Sequence, residues 1–443
     1  MSKVLNQNET QHPLFLGIDA GTSGIRACCI DKQANVVAEL SRPLPPSDIA
    51  GKQISQAPQV WAEVLDEVLT ALSQQVNFQN IERIAIDGTS GTVLFTDEQG
   101  QPTSAALMYN DARSQAQVTQ LQALAADNTP VNSIVQSLAA GLPKLMWLHE
   151  HETHDARFAM HQADWLSFLL TGQPGHSDVN NCLKTGYNPF ENKWPDWMQA
   201  LPEIKRRLPT VHTPGEVIAP VSAAIIDKYG FAKHCQLAAG TTDSHAAILA
   251  TGIQQPGEAV TSLGSTLVVK VISETPVFDE RYGIYSQPFG PLSKKLWLVG
   301  GGSNSGGAVL RHYFSDEEMA AMSEAIDPTQ DTGLDYYPLL HTGERFPIND
   351  PDFIPRLSPR PEDDVTFFQG LLEGIASIEH QAYQRLAELG APYPTSIRTV
   401  GGGAKNKTWT QIRKRYCNTE IQQSEYTEAA YGSALLAMQS LSK

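Results

Sequence analysis

The sequence predicts an α/β protein of two halves, each built around a mixed β-sheet in the order βββαβ. Three observations carry this. Apolar runs long enough for buried strands recur in both halves. Each half opens on a small-residue hairpin, Asp19-Ala20-Gly21-Thr22-Ser23 and Ser262-Leu263-Gly264-Ser265-Thr266. Each half also has one stretch of strong helical periodicity before a strand that ends in glycine.

In chain order, Leu14–Ile18, Ile25–Ile30 and Val36–Leu40 read as an antiparallel meander, and Pro43, Pro45 and Pro46 end it. Trp61, Val64, Leu65, Val68, Leu69 and Leu72 then recur at i, i+3, i+4, i+7, i+8 and i+11, the stripe of an amphipathic helix. Ile84–Ile86 is a fourth strand, running into Asp87-Gly88-Thr89-Ser90-Gly91. The second half repeats this with Ala259–Leu263, Leu267–Ile272 and Leu296–Val299. A long helix follows, marked by Phe367, Phe368, Leu371, Leu372, Ile375, Ile378, Ala382, Leu386 and Leu389, and then a strand, Ile397–Val400. Helical segments around Trp409 and Ala434 close the chain. The break falls at Gly252–Gly257, giving expected domains of 1–253 and 254–443.

Lys and Arg number 32 against 48 Asp and Glu, a net charge of 32 − 48 = −16, which argues against a phosphate-tracking nucleic-acid surface. Met1 to Pro13 is polar without an apolar core, and no run approaches the roughly 20 apolar residues of a membrane helix. A cytoplasmic protein is expected. The five cysteines, Cys28, Cys29, Cys182, Cys235 and Cys417, form no C-x-x-C pair, which disfavours a disulfide framework or a cysteine zinc site.

The hairpin at Asp19 suits phosphate and metal: glycine lets backbone approach, amides and hydroxyls donate, and the carboxylate attracts a cation. A capped turn is the structural alternative. The second hairpin carries Ser262 where the first carries Asp19, so one metal anchor serves two hydroxyl loops. Asp243, among small residues in Gly240-Thr241-Thr242-Asp243-Ser244-His245, reads as a general base or as a helix N-cap. On a helix His245 points about 200° away from Asp243 and is assigned to packing. Gly401-Gly402-Gly403-Ala404-Lys405-Asn406, between strand and helix, suits a nucleoside or a plain turn. His149, His151 and His154 do not share a helical face and read as a solvated helix end. No Walker A, G-x-S-x-G or H-E-x-x-H motif occurs.

Taken in order, these motifs resemble the FGGY carbohydrate kinases over nearly the whole chain. Asp19-Ala20-Gly21-Thr22-Ser23-Gly24-Ile25-Arg26 resembles the first phosphate motif, and Tyr109-Asn110-Asp111-Ala112-Arg113 is similar to W-x-D-x-R. Leu142-Pro143-Lys144 with Trp147, Ala163-Asp164-Trp165-Leu166 and Leu170-Thr171-Gly172 follow. Gly240-Thr241-Thr242-Asp243 resembles the catalytic segment and Gly264-Ser265-Thr266 the second phosphate motif. Gly343-Glu344-Arg345-Phe346-Pro347, the adenosine motif at Gly401–Asn406 and Gly432-Ser433-Ala434 complete the series.

The resemblance implies two actin-like, ribonuclease H-like domains around a central cleft that binds ATP, Mg²⁺ and a sugar. It implies Asp243 as the base for the sugar hydroxyl, Asp19 as the Mg²⁺ organiser, and Thr22 and Ser23 facing the transferred phosphoryl. Gly264, Ser265 and Thr266 would hold the β- and γ-phosphates, and Gly402, Gly403 and Asn406 the adenosine. Thr89, Ser90, Asp111, Arg113 and Asp243 would read the sugar. Two departures bear on substrate: Tyr109 replaces the usual tryptophan, and Ser55-Gln56-Ala57-Pro58 stands where E-x-D-P is common. Short length, Gly-Thr-Thr-Asp-Ser and Asp-Gly-Thr-Ser resemble the small plant and cyanobacterial D-ribulose kinases. D-ribulose, phosphorylated to D-ribulose 5-phosphate, is therefore the expected reaction. D-xylulose is the main alternative, ahead of L-ribulose, glycerol and sedoheptulose. A sugar-free nucleotide switch and a pseudokinase are the other readings, the latter disfavoured by Asp19, Thr22 and Asp243. Oligomeric state, a homodimer included, is left open.

Overall fold

The computed structural model describes residues 12–127, 129, 131, 133–152, 155–290 and 295–439; most of the polar leader and His154 lie outside them. These residues form two compact units. The first runs to Ala250 and resumes at Glu428; the second is Thr251–Thr427. No described helix is long and apolar enough to cross a membrane.

In the first unit, Leu14–Ala20 lies inside a six-stranded mixed sheet and is buried along its whole length. A strand covered on both faces needs a continuous apolar run rather than alternation, which is what its sequence supplies. It pairs antiparallel with Gly24–Asp31, which pairs antiparallel with Val36–Pro43. On its other side it pairs parallel with Ile81–Gly88, and that strand pairs parallel with Gln236–Thr242. Val217–Pro220 adds the antiparallel edge. Helix Pro58–Ser73 crosses over between the third and fourth of these strands and buries the predicted stripe from Trp61 to Leu72. It begins with Pro58 in its first turn, where the missing N–H costs no hydrogen bond. Gln56, in the segment that departs from E-x-D-P, accepts from Trp61 Nε1 at 2.6 Å and anchors that helix.

The second unit repeats the order. Glu258–Leu263 pairs antiparallel with Leu267–Ser273, and that strand pairs with Leu296–Ser303. The 25-residue helix Asp364–Glu388 leads to Ser396–Val400, parallel to the first strand. Under these strands Arg413 and Glu379 form a fully buried pair with two bonds of 2.6 Å. Thr399 and Thr261 add 2.8 Å and 2.5 Å bonds to it.

Two features differ from expectation. A second sheet of the first unit joins Asp48–Ala50, Gln53–Gln56, Ala106–Leu107, Val93–Thr96 and Phe158–His161. These strands are too short to show a period of two in sequence. The C-terminal helix Ala429–Gln439, inside the expected 254–443, also packs in the compact unit that runs to Ala250. Bare backbone permits this. A Cβ on Gly17 would stand 1.9 Å from Ala430 O, and one on Gly432 would stand 1.9 Å from Ala246 O. Ser433 Oγ then reaches Asp87 Oδ2 at 2.5 Å. Gly432→Val is expected to destabilise the fold by about 1–3 kcal/mol or more, as overpacking does; chemical denaturation checks it, and an unchanged midpoint would refute the close-packing account.

Candidate active site

In the first unit, three neighbouring strands end together with their carboxyl ends pointing the same way. Asp19 and Asp87 are direct partners in the parallel register, and Thr241 and Thr242 of the next strand stand opposite Asp87 and Gly88. Asp87 is fully buried and Asp19 nearly so. Arg26 Nη1 bonds Asp19 Oδ2 at 3.0 Å. The remaining oxygens Asp19 Oδ1, Asp87 Oδ1 and Thr242 Oγ1 are buried, and no described residue donates to them. Burial, with the charge of Asp19 beside it, pushes the Asp87 carboxyl well above the usual carboxylate range. The neutral form of Asp87 is thereby favoured.

The chain leaves this strand end directly into helix Asp243–Ala250. Asp243 Oδ1 accepts the Ser244 N–H at 2.6 Å, so it does help to start the helix, but it stays partly exposed at the mouth of the site. His245, one residue past Ser244, is fully buried, in keeping with a packing role. Thr22 and Ser23 are exposed at the hairpin tip, and Ser265 and Thr266 are exposed at the matching tip in the second unit. That second hairpin is fixed by Gly307 N to Gly264 O at 2.9 Å and Ala308 N to Ser265 O at 3.1 Å.

Beside it lies a cavity of about 630 Å³, wholly within the second unit. Leu263, Leu310, Met319 and Phe368 give it an apolar wall, and Gly264, Gly402, Gly403, Arg311 and Lys405 reach its polar side. The three glycines at 401–403 differ in role. Gly401 has φ +85° and lies against Leu263 O, and Gly403 lies against the Trp409 ring. Gly402 faces open space and presents bare backbone at the cavity. Asn406, expected to touch adenosine, is already engaged: its Oδ1 caps the next helix at Trp409 N, 2.9 Å, and its Nδ2 donates to Ser323 Oγ at 2.8 Å. It ties Ser323 of helix Asp316–Ala325, which also lines the cavity, to the glycine turn.

Two family models match the chain, the N-terminal domain of the FGGY carbohydrate kinases over residues 14–250 and their C-terminal domain over 259–441. This chain belongs to the FGGY family of carbohydrate kinases. It is a sugar phosphotransferase with the family's two-domain α/β fold. The xylulose kinase of Staphylococcus epidermidis is 23% identical over 439 residues, covering 96% of this chain and 87% of that protein. The xylulose kinase of Bacillus subtilis is 25% identical over 452 residues, covering 95% and 87%. Among solved structures, Plasmodium falciparum glycerol kinase with ADP superposes with a TM-score of 0.83 at 20% identity, covering 97% of this chain and 90% of that one.

The residues of this FGGY kinase that were expected to read the sugar divide sharply. Thr89 is buried, with its hydroxyl on Gln162 Oε1 at 2.8 Å and Thr92 Oγ1 at 2.6 Å, while Ser90 keeps some exposure. Asp111 is buried and accepts from Ile54 N at 2.5 Å, Arg113 N at 3.0 Å and Arg113 Nε at 2.8 Å. It acts by fixing Arg113, whose guanidinium lies 4.9 Å from the Trp147 ring centre. Two residues went unseen in the sequence. Arg311 reaches Ser265 Oγ at 3.5 Å from the cavity side. Lys184, largely buried after helix Val179–Leu183, has Asp243 as its opposite charge. Neither carries a local motif, since each meets its neighbours only through tertiary packing. Of the histidine cluster, His151 stacks on Trp147 at 4.4 Å, as at a helix end. Among the described residues no three His, Cys, Asp or Glu side chains form a metal cage.

Lys144 is fully buried, donating to Gly91 O at 2.9 Å and Tyr109 O at 2.8 Å, so it ties together the turns that follow strands Ile81–Gly88 and Ala106–Leu107. Burial, with Lys184 adding repulsion, pulls it down to about 7. The unfolded chain then binds this proton more tightly than the folded one, so stability rises with pH from about 7 toward 10.5. In Lys144→Met that component is absent. The wild-type-minus-variant unfolding free energy should therefore grow above pH 7 by up to about 1.4 kcal/mol per unit. Urea titrations between pH 6 and 9 read it, and a flat difference would mean that the buried amine stays charged.

Proposed function

We propose that this FGGY kinase transfers the γ-phosphoryl group of ATP to a hydroxyl of a ketopentose. The observation that carries the reading is the set of buried oxygens without donors at Asp19, Asp87 and Thr242, next to a partly exposed Asp243. Buried polar atoms are almost always satisfied. Their grouping at adjacent strand ends marks a place built for a ligand and a cation. Asp243 takes the acceptor hydroxyl proton, and Lys184 balances its charge. Arg113, held by Asp111, and Ser90 orient the sugar. Thr22, Ser23, Ser265 and Thr266 face the phosphates, with Arg311 behind Ser265, and Gly402 receives the adenosine in the 630 Å³ cavity.

Mg²⁺ fits the donor set. Asp19 Oδ1 is a hard oxygen without a donor, and Mg²⁺ is commonly held by one or two carboxylates plus substrate phosphates and water. Asp19 would hold it, directly or through water. When bound, the ion neutralises charge on the transferring phosphoryl. Phosphoryl transfer asks mainly for positioning and charge neutralisation rather than covalent help, and apart from the base Asp243 the residues named above do one of the two.

For the acceptor, the xylulose kinases named among the relatives support D-xylulose over the D-ribulose expected from the sequence. D-ribulose keeps the support of the short chain, of Gly-Thr-Thr-Asp-Ser at Asp243 and of the Asp87-Gly88-Thr89-Ser90 strand end. The two sugars differ in one hydroxyl configuration, which a polar pocket rejects less strongly than a missing hydroxyl.

Three measurements test these assignments. Asp243→Asn should lower kcat by about 10²–10⁴-fold while ADP affinity is retained; retention of more than about a tenth of the turnover would remove Asp243 as base. Asp19→Ala should raise the Mg²⁺ requirement and cut kcat far more than Ser262→Ala, its counterpart in the second hairpin. Equal losses would end the single-anchor picture. In a coupled ADP-release assay, both ketopentoses should exceed glycerol and sedoheptulose in kcat/KM. D-xylulose first sustains the reading from the relatives, D-ribulose first sustains that from the strand end, and a polyol first overturns the ketopentose assignment.

A further inference from the structure

A second cavity of about 360 Å³ opens over strands Leu267–Ser273 and Leu296–Ser303 of the second unit, and it shares no lining residue with the nucleotide cavity. Val269 and Val271 of the first strand point into the apolar core. By strand alternation Val268 and Lys270 therefore stand on the opposite face, where the cavity lies. Opposite them in register are Gly302 and Gly300.

These glycines make room for cations. A Cβ on Gly302 would stand 3.0 Å from Arg345 Nη2, and one on Gly300 would stand 2.7 Å from Lys270 Cγ. Arg345 thus lies flat on bare strand, and Lys270 crosses the same strand two residues away, about 7 Å along it. Among the described residues the Arg345 guanidinium makes no hydrogen bond or ion pair; only its backbone N–H is bonded, to Glu344 Oε1 at 2.9 Å. Glu344 itself is engaged elsewhere, by Ser303 at 2.6 Å, Asn304 N at 2.8 Å and Tyr337 at 3.0 Å. Lys270 Nζ donates to Gln287 Oε1 at 3.0 Å, which places the ammonium on the cavity wall. Arg281 at the rim is already matched by Asp279, at 3.0 Å and 2.5 Å.

We propose that this cavity is an anion site for a phosphate monoester, held by the fork of Arg345 and the charge of Lys270. An arginine fork fits phosphate and carboxylate oxygens alike. The second cation decides between them, because a phosphate monoester carries about −1.5 to −2 at neutral pH, whereas a carboxylate needs only one partner. The organic part of the ligand would lie against the Tyr282 and Tyr285 walls. The proposal stands on the second unit alone and holds whichever sugar the kinase phosphorylates.

Calorimetric titration of the full chain, with the nucleotide cavity saturated by ADP, tests it with two probes: inorganic phosphate and D-ribose 5-phosphate. Saturable binding of D-ribose 5-phosphate to the wild type, tighter than about 1 mM, is expected. It should weaken by about tenfold or more in Arg345→Gln and in Lys270→Gln, with ADP affinity unchanged. Arg345→Lys, which keeps the charge and loses the fork, should fall between. Competition by inorganic phosphate assigns the site to the phosphate group alone, and its failure to compete assigns it to a phosphorylated sugar; either sustains the proposal. Absence of saturable binding to the wild type, or equal binding in the two glutamine variants, overturns it. If Arg345→Gln does not fold, as judged by its melting curve, the Lys270→Gln titration decides.

Discussion

Two carboxyl groups side by side on adjacent parallel strands are the constraint around which the first unit is arranged. Asp19 and Asp87 are register partners and both are buried, so they cannot both be charged cheaply. The fold answers from two directions. Arg26, on the other arm of the hairpin, places its cation on one oxygen of Asp19. Ser433, hundreds of residues away in sequence, donates to Asp87. For that second contact the C-terminal helix must return to the first unit, and for the helix to return, Gly17 and Gly432 must lack side chains. One electrostatic problem at a strand end thus accounts for the path of the chain terminus.

The second unit meets the same topology with opposite chemistry. Its hairpin offers Ser262 and small hydroxyl residues where the first offers a carboxylate, and its buried charge lies beneath the sheet. There Glu379 and Arg413 neutralise each other with two bonds and tie two helices to the strands through Thr261 and Thr399. A pair matched in this way leaves no net charge, whereas removing either partner would strand a buried ion. The first unit therefore keeps unmatched acceptors at its strand ends, and the second keeps a rigid, neutral frame around an apolar cavity. Asn406 belongs to that frame, since it caps one helix and holds another.

What the sequence made legible follows from range. The hairpins, the helix from Trp61 to Leu72 and the helix from Phe367 onward are written in local periodicity, and the structure has them where the periodicity places them. The hairpin at Asp19 and the strand-to-helix step at Asp243 were legible for the same reason. Thr89 was not, because the group that engages its hydroxyl is Gln162, 73 positions on. Asn406 illustrates a local signal passed over: asparagine three residues before Trp409, at the start of a helix, is a strong N-cap pattern. Lys184 and Arg311 carried no signal at all, since a lone cation is read as solvated until its neighbours are known. The short strands from Asp48 to His161 failed for want of length.

An acidic chain that must handle a polyanion has to place its positive charge locally, and this one does so sparingly. Arg26 is spent on Asp19, Arg113 on Asp111 and Trp147, Arg413 on Glu379, and Lys144 on two carbonyls; each of these cations is fixed by a partner within its own unit. The two hairpin tips correspondingly present the hydroxyls of Thr22, Ser23, Ser265 and Thr266 rather than lysine, with Arg311 behind Ser265. Attraction at long range is thus weak or adverse, and binding has to come from short-range donors that act once the ligand has arrived. Such donors are most effective where the charge they meet is fixed in position, as on a transferring phosphoryl group, and least effective on a diffusing ion. The distribution of charge therefore favours discrimination by position over attraction by field, a property suited to an enzyme that must hold one hydroxyl and one phosphorus atom in line.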